Sequence, residues 1–434
     1  MALWEHLGLR VAHVATQMPG DIADFAAGFP SRLASLTLCV PTRLDPAPFG
    51  AVAKRLLMIA GERGLSADLT TRAAERLAGA RRVVLDGYEA PGWADVVADR
   101  SDEIVREMSE HLAAFAADTP STQVARQGTH AGISYHIEGA GPALILLPFF
   151  LAPSQWAPAI SRLARSFSVI TLGGRHVGGV AALEDRARTP TYQAMFRTLI
   201  DLMAPRPGET LLDVGCGAGS LDRLLAKRLG EANPITAMDT NSFLLSEAAA
   251  LARAESVDGR IRFVPGNAEA LPFPEASFDC VFSVTVLEEC DADRALGEMV
   301  RVARPGGRVG VIVRSIDLPQ WWSVQAPEGL RQRMAKPPQS VAAAGVADAS
   351  LYRRARAAGL ADLTCYPFLV TLDRPAGPIW RYREDHLLAQ LTPEETLTWR
   401  AARDAAQSKG ELLTAHAMHC VVGRKPRSSS AADG

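Results

Sequence analysis

The stretch LLDVGCGAGSLDRLLAKRLG, residues 211–230, constrains the fold of this chain more than any other. An apolar run ends in Asp213, glycines follow at 215, 217 and 219, and an amphipathic helical pattern starts at once. Glycines at such a turn adopt unusual dihedrals and let the backbone approach a nucleotide-like ligand closely. Further on comes ITAMD, residues 235–239, a second strand ending in Asp239. A carboxylate at that strand tip can accept both hydroxyls of a ribose. Dinucleotide enzymes use a similar turn, so the glycines alone leave a nicotinamide-dinucleotide domain as a rival. Apolar runs alternate with helical stretches in this half and also within residues 1–180, at LTLCV, RLLMIAG, RRVVLDG, ALILLPF and FSVITLG. That alternation is the α/β pattern.

The rival loses ground in VPGNAEALPFPEASFDCVFSVTVLEECDADRALGEMVRVARPGGRVGVIV, residues 264–313, because LPF, LEEC and RPGG have no place in the dinucleotide pattern. With the two earlier motifs, this segment resembles the class I S-adenosylmethionine-dependent methyltransferases. It is most similar to the small-molecule branch that includes ubiquinone- and menaquinone-type enzymes. The resemblance covers about residues 190–315, with its motifs in order and at the family's spacing. It implies a Rossmann-like, seven-stranded, doubly wound sheet. It also implies S-adenosyl-L-methionine as cofactor and in-line transfer of the sulfonium methyl to an O, N or C nucleophile of a small-molecule metabolite.

The resemblance also assigns roles. Gly215, Cys216 and Gly217 match the loop under the methionine part of the cofactor, and Asp213 the acid facing its amino acid end. Asp239 matches the ribose ligand, and Thr240 and Leu244 the positions covering the adenine. Asn267 and Ala268 match an Asp-Ala pair that reads the adenine edge; Asn stands where Asp is commoner, and its amide oxygen still accepts a hydrogen bond. Ser283 and Val284 end the strand where the methyl is presented, and RPGG at 304–307 matches a structural turn. A general base is needed only where the acceptor is protonated. Glu289 in VLEEC is the candidate, with Glu288 behind it. The acceptor side is expected from Tyr192 with Met195 and Phe196, from Trp321 and Trp322, and from Trp380, Arg381, Tyr382 and Arg383. Adjacent aromatics suit a flat organic substrate and arginines a carboxylate. The alternative for each of these aromatics is ordinary packing.

Residues 1–118 resemble the second half of an α/β-hydrolase, and residues 132–183 its beginning. The nucleophile position falls on Gln17, the acid position on Gly64 or Arg63, the histidine position on Ala90, and the oxyanion turn on Pro148-Phe149. With all three triad roles vacant, hydrolysis by that route is not expected. The reversed order leaves two readings, one permuted inactive domain or a truncated remnant. Either would serve as an oligomerisation surface or substrate cap, and exposed sheet edges favour a homodimer.

Lys and Arg number 46 against 48 Asp and Glu, a balance that disfavours a nucleic-acid partner. No apolar run is long enough for a membrane span. The six cysteines are scattered without a C-x-x-C pair, which fits reduced thiols in a cytoplasm and no metal. His416 and His419 have metal-like spacing, but they fall in a strand pattern where residues three apart face opposite sides. The expected organisation is a hydrolase-like region at 1–183 with a linker near 117–129, a methyltransferase domain at 184–426 and a disordered tail at 427–434. The functional rivals are a cofactor-binding scaffold without turnover and an active hydrolase.

Overall fold

The computed structural model describes residues 1–427 except 42–43, 90–95, 150–152, 175–176, 338–340, 376 and 389, without the side chains of 21, 65, 153–154, 378–379, 381–382 and 385–386. The expected histidine position Ala90 and the tail from 428 onward lie outside the described residues. The chain divides into two compact units, Met1–Ala181 and Ala182–Gly434.

Unit 1 is built on β1 (Ala12–Thr16), β2 (Leu33–Cys39), β3 (Leu56–Arg63), β4 (Arg81–Glu89), β5 (Gln127–His130), β6 (Ile133–Glu138), β7 (Ala143–Leu146) and β8 (Ser168–Gly173). They form one eight-stranded sheet in the order β4-β3-β2-β1-β7-β8-β6-β5. The early and late segments meet where β1 pairs in parallel with both β2 and β7. Among these strands β6 runs antiparallel to β5 and β8. Every residue of β1, β2 and β7 is buried, as expected of parallel strands covered on both faces. Successive side chains alternate between two cores: Ile145 joins one with Val14 and Leu36, while Leu144 and Leu146 join the other with Cys39 and Ile59. The segment expected as a linker is tied down, because Asp118 accepts from the amides of Arg10 and Val11 at 2.7 and 3.0 Å.

Unit 2 is built on β9 (Leu211–Val214), β10 (Ile235–Asp239), β11 (Ile261–Pro265), β12 (Phe278–Val284), β13 (Ala303–Arg314), β14 (Trp321–Trp322), β15 (Ala361–Leu372) and β16 (Thr414–Arg424). The order is β11-β10-β9-β12-β13-β16-β14, with β15 also on β16. β9 to β13 are parallel, and β16 runs antiparallel to β13, β14 and β15. The sheet thus has eight strands where seven were expected; the extra one is the two-residue β14, paired to Thr414 and Ala415. Hydrophobic cores cover both faces, one holding Phe196, Leu211 and Phe282, the other Leu212, Val281 and Val311. A strand order that reverses between β9 and β12 opens a crevice at the carboxyl ends of these strands, the usual ligand position in such sheets. No described helix is long and apolar enough to cross a membrane.

Candidate functional site

The turn after β9 is shaped by its glycines. Gly215 has φ +86°, and a Cβ there would overlap the Val286 side chain. The amides of Gly215 and Cys216 both donate to the Met238 carbonyl, at 2.7 and 2.9 Å, which ties the turn to the tip of β10. Gly219, with φ +67°, caps the helix Ser220–Leu229, and a Cβ there would press on Phe263 and Ala248 at 3.0 and 3.1 Å. The turn is therefore packed on three sides while its amides curve around the end of β9.

Asp239 closes this turn from β10. Its Oδ2 accepts from the Gly217 amide at 2.9 Å and its Oδ1 from the Asn241 amide at 2.8 Å. Burial nonetheless pushes its carboxyl above the usual range, with those amides opposing the shift. Asp213, 3% exposed, ends β9, and its Oδ1 has no hydrogen-bond partner among the described residues. Burial first, and then the neighbouring carboxyls of Asp222 and Asp239, raise it well above its ordinary value. Asp222 lies in the first turn of the helix Ser220–Leu229, fully buried, and burial raises it as well. Like charges this close cannot both ionise in a dry site, so the pair is expected to hold a proton. Cys216 faces the same carboxyls, and burial together with their charge keeps its thiol protonated. Below the turn, Arg223 is buried against Glu184 and donates to the Ala218 carbonyl at 2.7 Å; Ser220 Oγ donates to Glu184 at 2.7 Å. This network fixes the start of the helix.

The remaining expected cofactor contacts surround this core. Thr240 is exposed just after Asp239, and Leu244 is buried one turn into the helix Ser242–Ala254, whose start Asn241 caps. Asn267 is exposed, with Oδ1 accepting from the Glu269 amide at 2.9 Å, and Ala268 is buried beside it. Ser283 is fully buried and its hydroxyl donates to the Val214 carbonyl at 2.8 Å, so its side chain joins β12 to β9.

The acceptor side departs further from expectation. Glu289, the expected base, is on the surface, paired with Arg314 at 2.6 Å. Its neighbour Glu288 is fully buried: Oε1 accepts from the Arg314 amide at 2.7 Å and from the Arg314 Nε at 3.3 Å, Oε2 has no partner among the described residues, and burial raises its carboxyl. The inward acid is therefore Glu288. Trp322 and Trp380 pack edge-on at 5.3 Å in a cluster with Trp399, and their indole N–H groups donate to the Met334 carbonyl and to Glu384. Both expected acceptor contacts are thus packed into a hydrophobic cluster. Trp321 is 54% exposed on β14. Arg381 lies in the helix Gly377–Leu388, but its side chain is outside the described residues. Tyr192, in contrast, is 2% exposed, and its hydroxyl has no well-formed hydrogen bond among the described residues. The guanidinium of Arg186 sits over its ring at 5.1 Å and donates to Thr285 Oγ1 at 3.2 Å, just past the tip of β12. His416 and His419 are both on β16. His419 bonds Asp317 and Tyr352, and His416 lies among Arg383 and Arg186.

These strand tips bear on what the chain resembles. Residues 212–311 match the family described as a methyltransferase domain. The cofactor this match supports is S-adenosylmethionine. The ubiquinone/menaquinone biosynthesis C-methyltransferase of Vibrio cholerae is 38% identical over 117 residues, 27% of this chain and 45% of that protein. The Escherichia coli protein of the same name is 38% identical over 117 residues, 27% of this chain and 47% of that protein. The chain thus spans about half the length of the curated relatives it matches. Among solved structures, the YcgJ protein of Bacillus subtilis is 19% identical with a TM-score of 0.39, over 54% of this chain and 100% of that one. The [4+2]-cyclase SpnF is 23% identical with a TM-score of 0.34, over 55% and 82%.

Proposed function

We propose that unit 2 is a methyltransferase that moves the methyl group of S-adenosylmethionine to a small-molecule acceptor. The observation that carries this reading is the pair of carboxylates, Asp213 and Asp239, on adjacent strand tips around a glycine turn. Their chemistry fits the cofactor. Asp239 is a two-oxygen acceptor for the vicinal hydroxyls of a ribose. The buried carboxyl of Asp213, which shares a proton with Asp222 in the cofactor-free protein, is an acceptor for an ammonium group, whose arrival would favour the ionised carboxylate. Asn267 Oδ1 and the Leu244 side chain suit an adenine, one as acceptor and one as apolar cover.

When bound, the cofactor supplies a methyl group already activated by its sulfonium. The chain then has to hold the acceptor in line and exclude water, and much of the rate of such a reaction comes from that positioning. Glu288 and Tyr192 are the buried groups able to hold or take a proton near the tip of β12, with Glu288 in place of Glu289 for an acceptor that must lose one. Assay of the whole chain with methyl-labelled cofactor against a metabolite panel tests this reading. Label in an acceptor supports it, and binding of the cofactor without transfer to any acceptor supports a scaffold in its place.

For unit 1 we infer a permuted α/β-hydrolase-like sheet without hydrolytic activity. Support comes from the single sheet that joins the segment resembling the family's beginning to the one resembling its second half. Gln17 at the nucleophile position is fully buried and donates to the Val40 carbonyl at 3.2 Å. The edge strands β4 and β5 each pair on one side, which supports a role as a surface for a second copy. Light scattering giving twice the chain mass is the expected result, and p-nitrophenyl acetate is expected to remain intact.

A further inference from the structure

Past the tip of β12, buried and half-buried polar groups from four separate elements converge, and the reading above leaves most of them without a task. We propose that they form the acceptor site, and that the acceptor it takes carries a carboxylate, docked on the guanidinium of Arg186 and the hydroxyl of Tyr192. The proposal rests on the cofactor reading above and adds the acceptor's chemical class.

Arg186 comes from the helix Gly178–Arg188, Tyr192 from the helix Pro190–Met203, Thr285 from the end of β12 and His416 from β16. Arg186 is fixed on two sides, with Nη1 on Thr285 Oγ1 at 3.2 Å and the Tyr192 ring 5.1 Å from its central carbon. Among the described residues its buried Nε has no acceptor and no carboxylate lies at ion-pair distance from it. A guanidinium keeps its charge at any working pH and offers a fork that matches a carboxylate. A partly buried cation without a counter-ion is costly unless an anion arrives to complete it. Among the described residues the Tyr192 hydroxyl, with Thr285 as its near neighbour, and His416 Nδ1 are also buried without a well-formed hydrogen bond, on side chains 2% and 6% exposed. A cation with its own Nε unsatisfied, beside two further unsatisfied polar groups, is what a binding site looks like before its ligand is in place.

The neighbouring acids do not cancel this charge. Of the carboxyls that act on Tyr192, Glu288 is biased toward the neutral form by burial, and Asp213 is biased the same way in the cofactor-free protein and is engaged by the cofactor's ammonium once that is bound. His416 is held neutral by burial and by Arg383 and Arg186, so it brings no charge of its own and offers a polar edge. Thr285 adopts φ +59°, a strained region for a β-branched residue, and in that conformation its side chain holds Arg186. The backbone thus sustains strain where the guanidinium is aimed. A neutral acceptor would leave the cation uncompensated, and a cationic one would be repelled, so the charge also selects.

The test uses the full chain saturated with S-adenosylhomocysteine, titrated calorimetrically with benzoate, salicylate and hexanoate, each beside its primary amide. The expected result is that at least one acid binds about tenfold or more tighter than its amide, the scale of a charge-assisted pair. Arg186→Gln is expected to erase that preference and Arg186→Lys to restore part of it, with S-adenosylhomocysteine affinity unchanged in both variants. Equal or undetectable binding of acids and amides, or a preference that survives Arg186→Gln, overturns the proposal while the cofactor reading stands. Failure of S-adenosylhomocysteine itself to bind overturns the cofactor reading, and this proposal with it.

Discussion

Both units are sheets of largely parallel strands with helices on their faces, yet their strand tips differ in kind. At the tip of β1 in unit 1 stands Gln17, buried, its amide donating to a backbone carbonyl. At the tips of β9, β10 and β12 in unit 2 stand Asp213, Asp239 and Thr285, with Asp222, Glu288, Tyr192 and Arg186 close behind. Several of these keep a buried polar atom unpaired. Desolvated groups without partners lower stability. Among the described residues Gln17 at the tip of β1 is bonded, whereas Asp213, Tyr192 and Glu288 in unit 2 each keep an unpaired buried oxygen. The architecture is common to both, and the chemistry follows the side chains at the strand ends.

The largest expected effect that sharpens this contrast is Gly215→Val. A side chain at φ +86° that also overlaps Val286 should cost about 3–5 kcal/mol and abolish cofactor binding, measured by denaturant unfolding and calorimetry. Next is Asp239→Ala, expected to weaken S-adenosylhomocysteine about 100-fold through loss of two charged hydrogen bonds to the ribose. Its counterpart in unit 1, Gln17→Ala, should cost about 1–3 kcal/mol of stability by stranding the Val40 carbonyl, with cofactor affinity unchanged. Equal losses of cofactor affinity in both variants would break the contrast between the units.

A smaller effect is in the pH dependence of the cofactor-free protein. The folded Asp213 carboxyl titrates above its ordinary 3.8, so the folded state holds a proton that the unfolded chain has lost. Its contribution to stability is complete below about pH 3.8 and declines as pH rises through the folded value. Asp213→Asn should therefore gain stability relative to the wild type as pH rises from there, read as the difference between two urea-denaturation series. The smallest effect is Glu289→Gln, expected within about 0.5 kcal/mol and with turnover near wild type, whereas Glu288→Gln lowers turnover.

The sequence carried the local parts of this picture well. The glycine turn, the carboxylates that end β9 and β10, and β16 as the final strand all follow from short-range pattern, because strand period and turn chemistry are local properties. The tip of β12 was not legible. Glu288 and Glu289 are adjacent acids, and which one faces inward is set by the irregular turn after β12, where no strand or helix period applies. Arg186 meets a threonine 99 residues away, and no periodicity reports such a pairing. Trp322 and Trp380 looked like acceptor contacts because adjacent aromatics are ambiguous; their burial against Trp399 is tertiary information. Asp222 could have been found as a second acid in the first turn of a helix that starts at a carboxylate-lined turn.

The most direct measurement is calorimetric titration of the intact chain with S-adenosylhomocysteine and, separately, with NAD. One equivalent of S-adenosylhomocysteine should bind and be lost in Asp239→Ala, with no heat from NAD. Binding of NAD with none of S-adenosylhomocysteine would contradict the assignment of these strand tips.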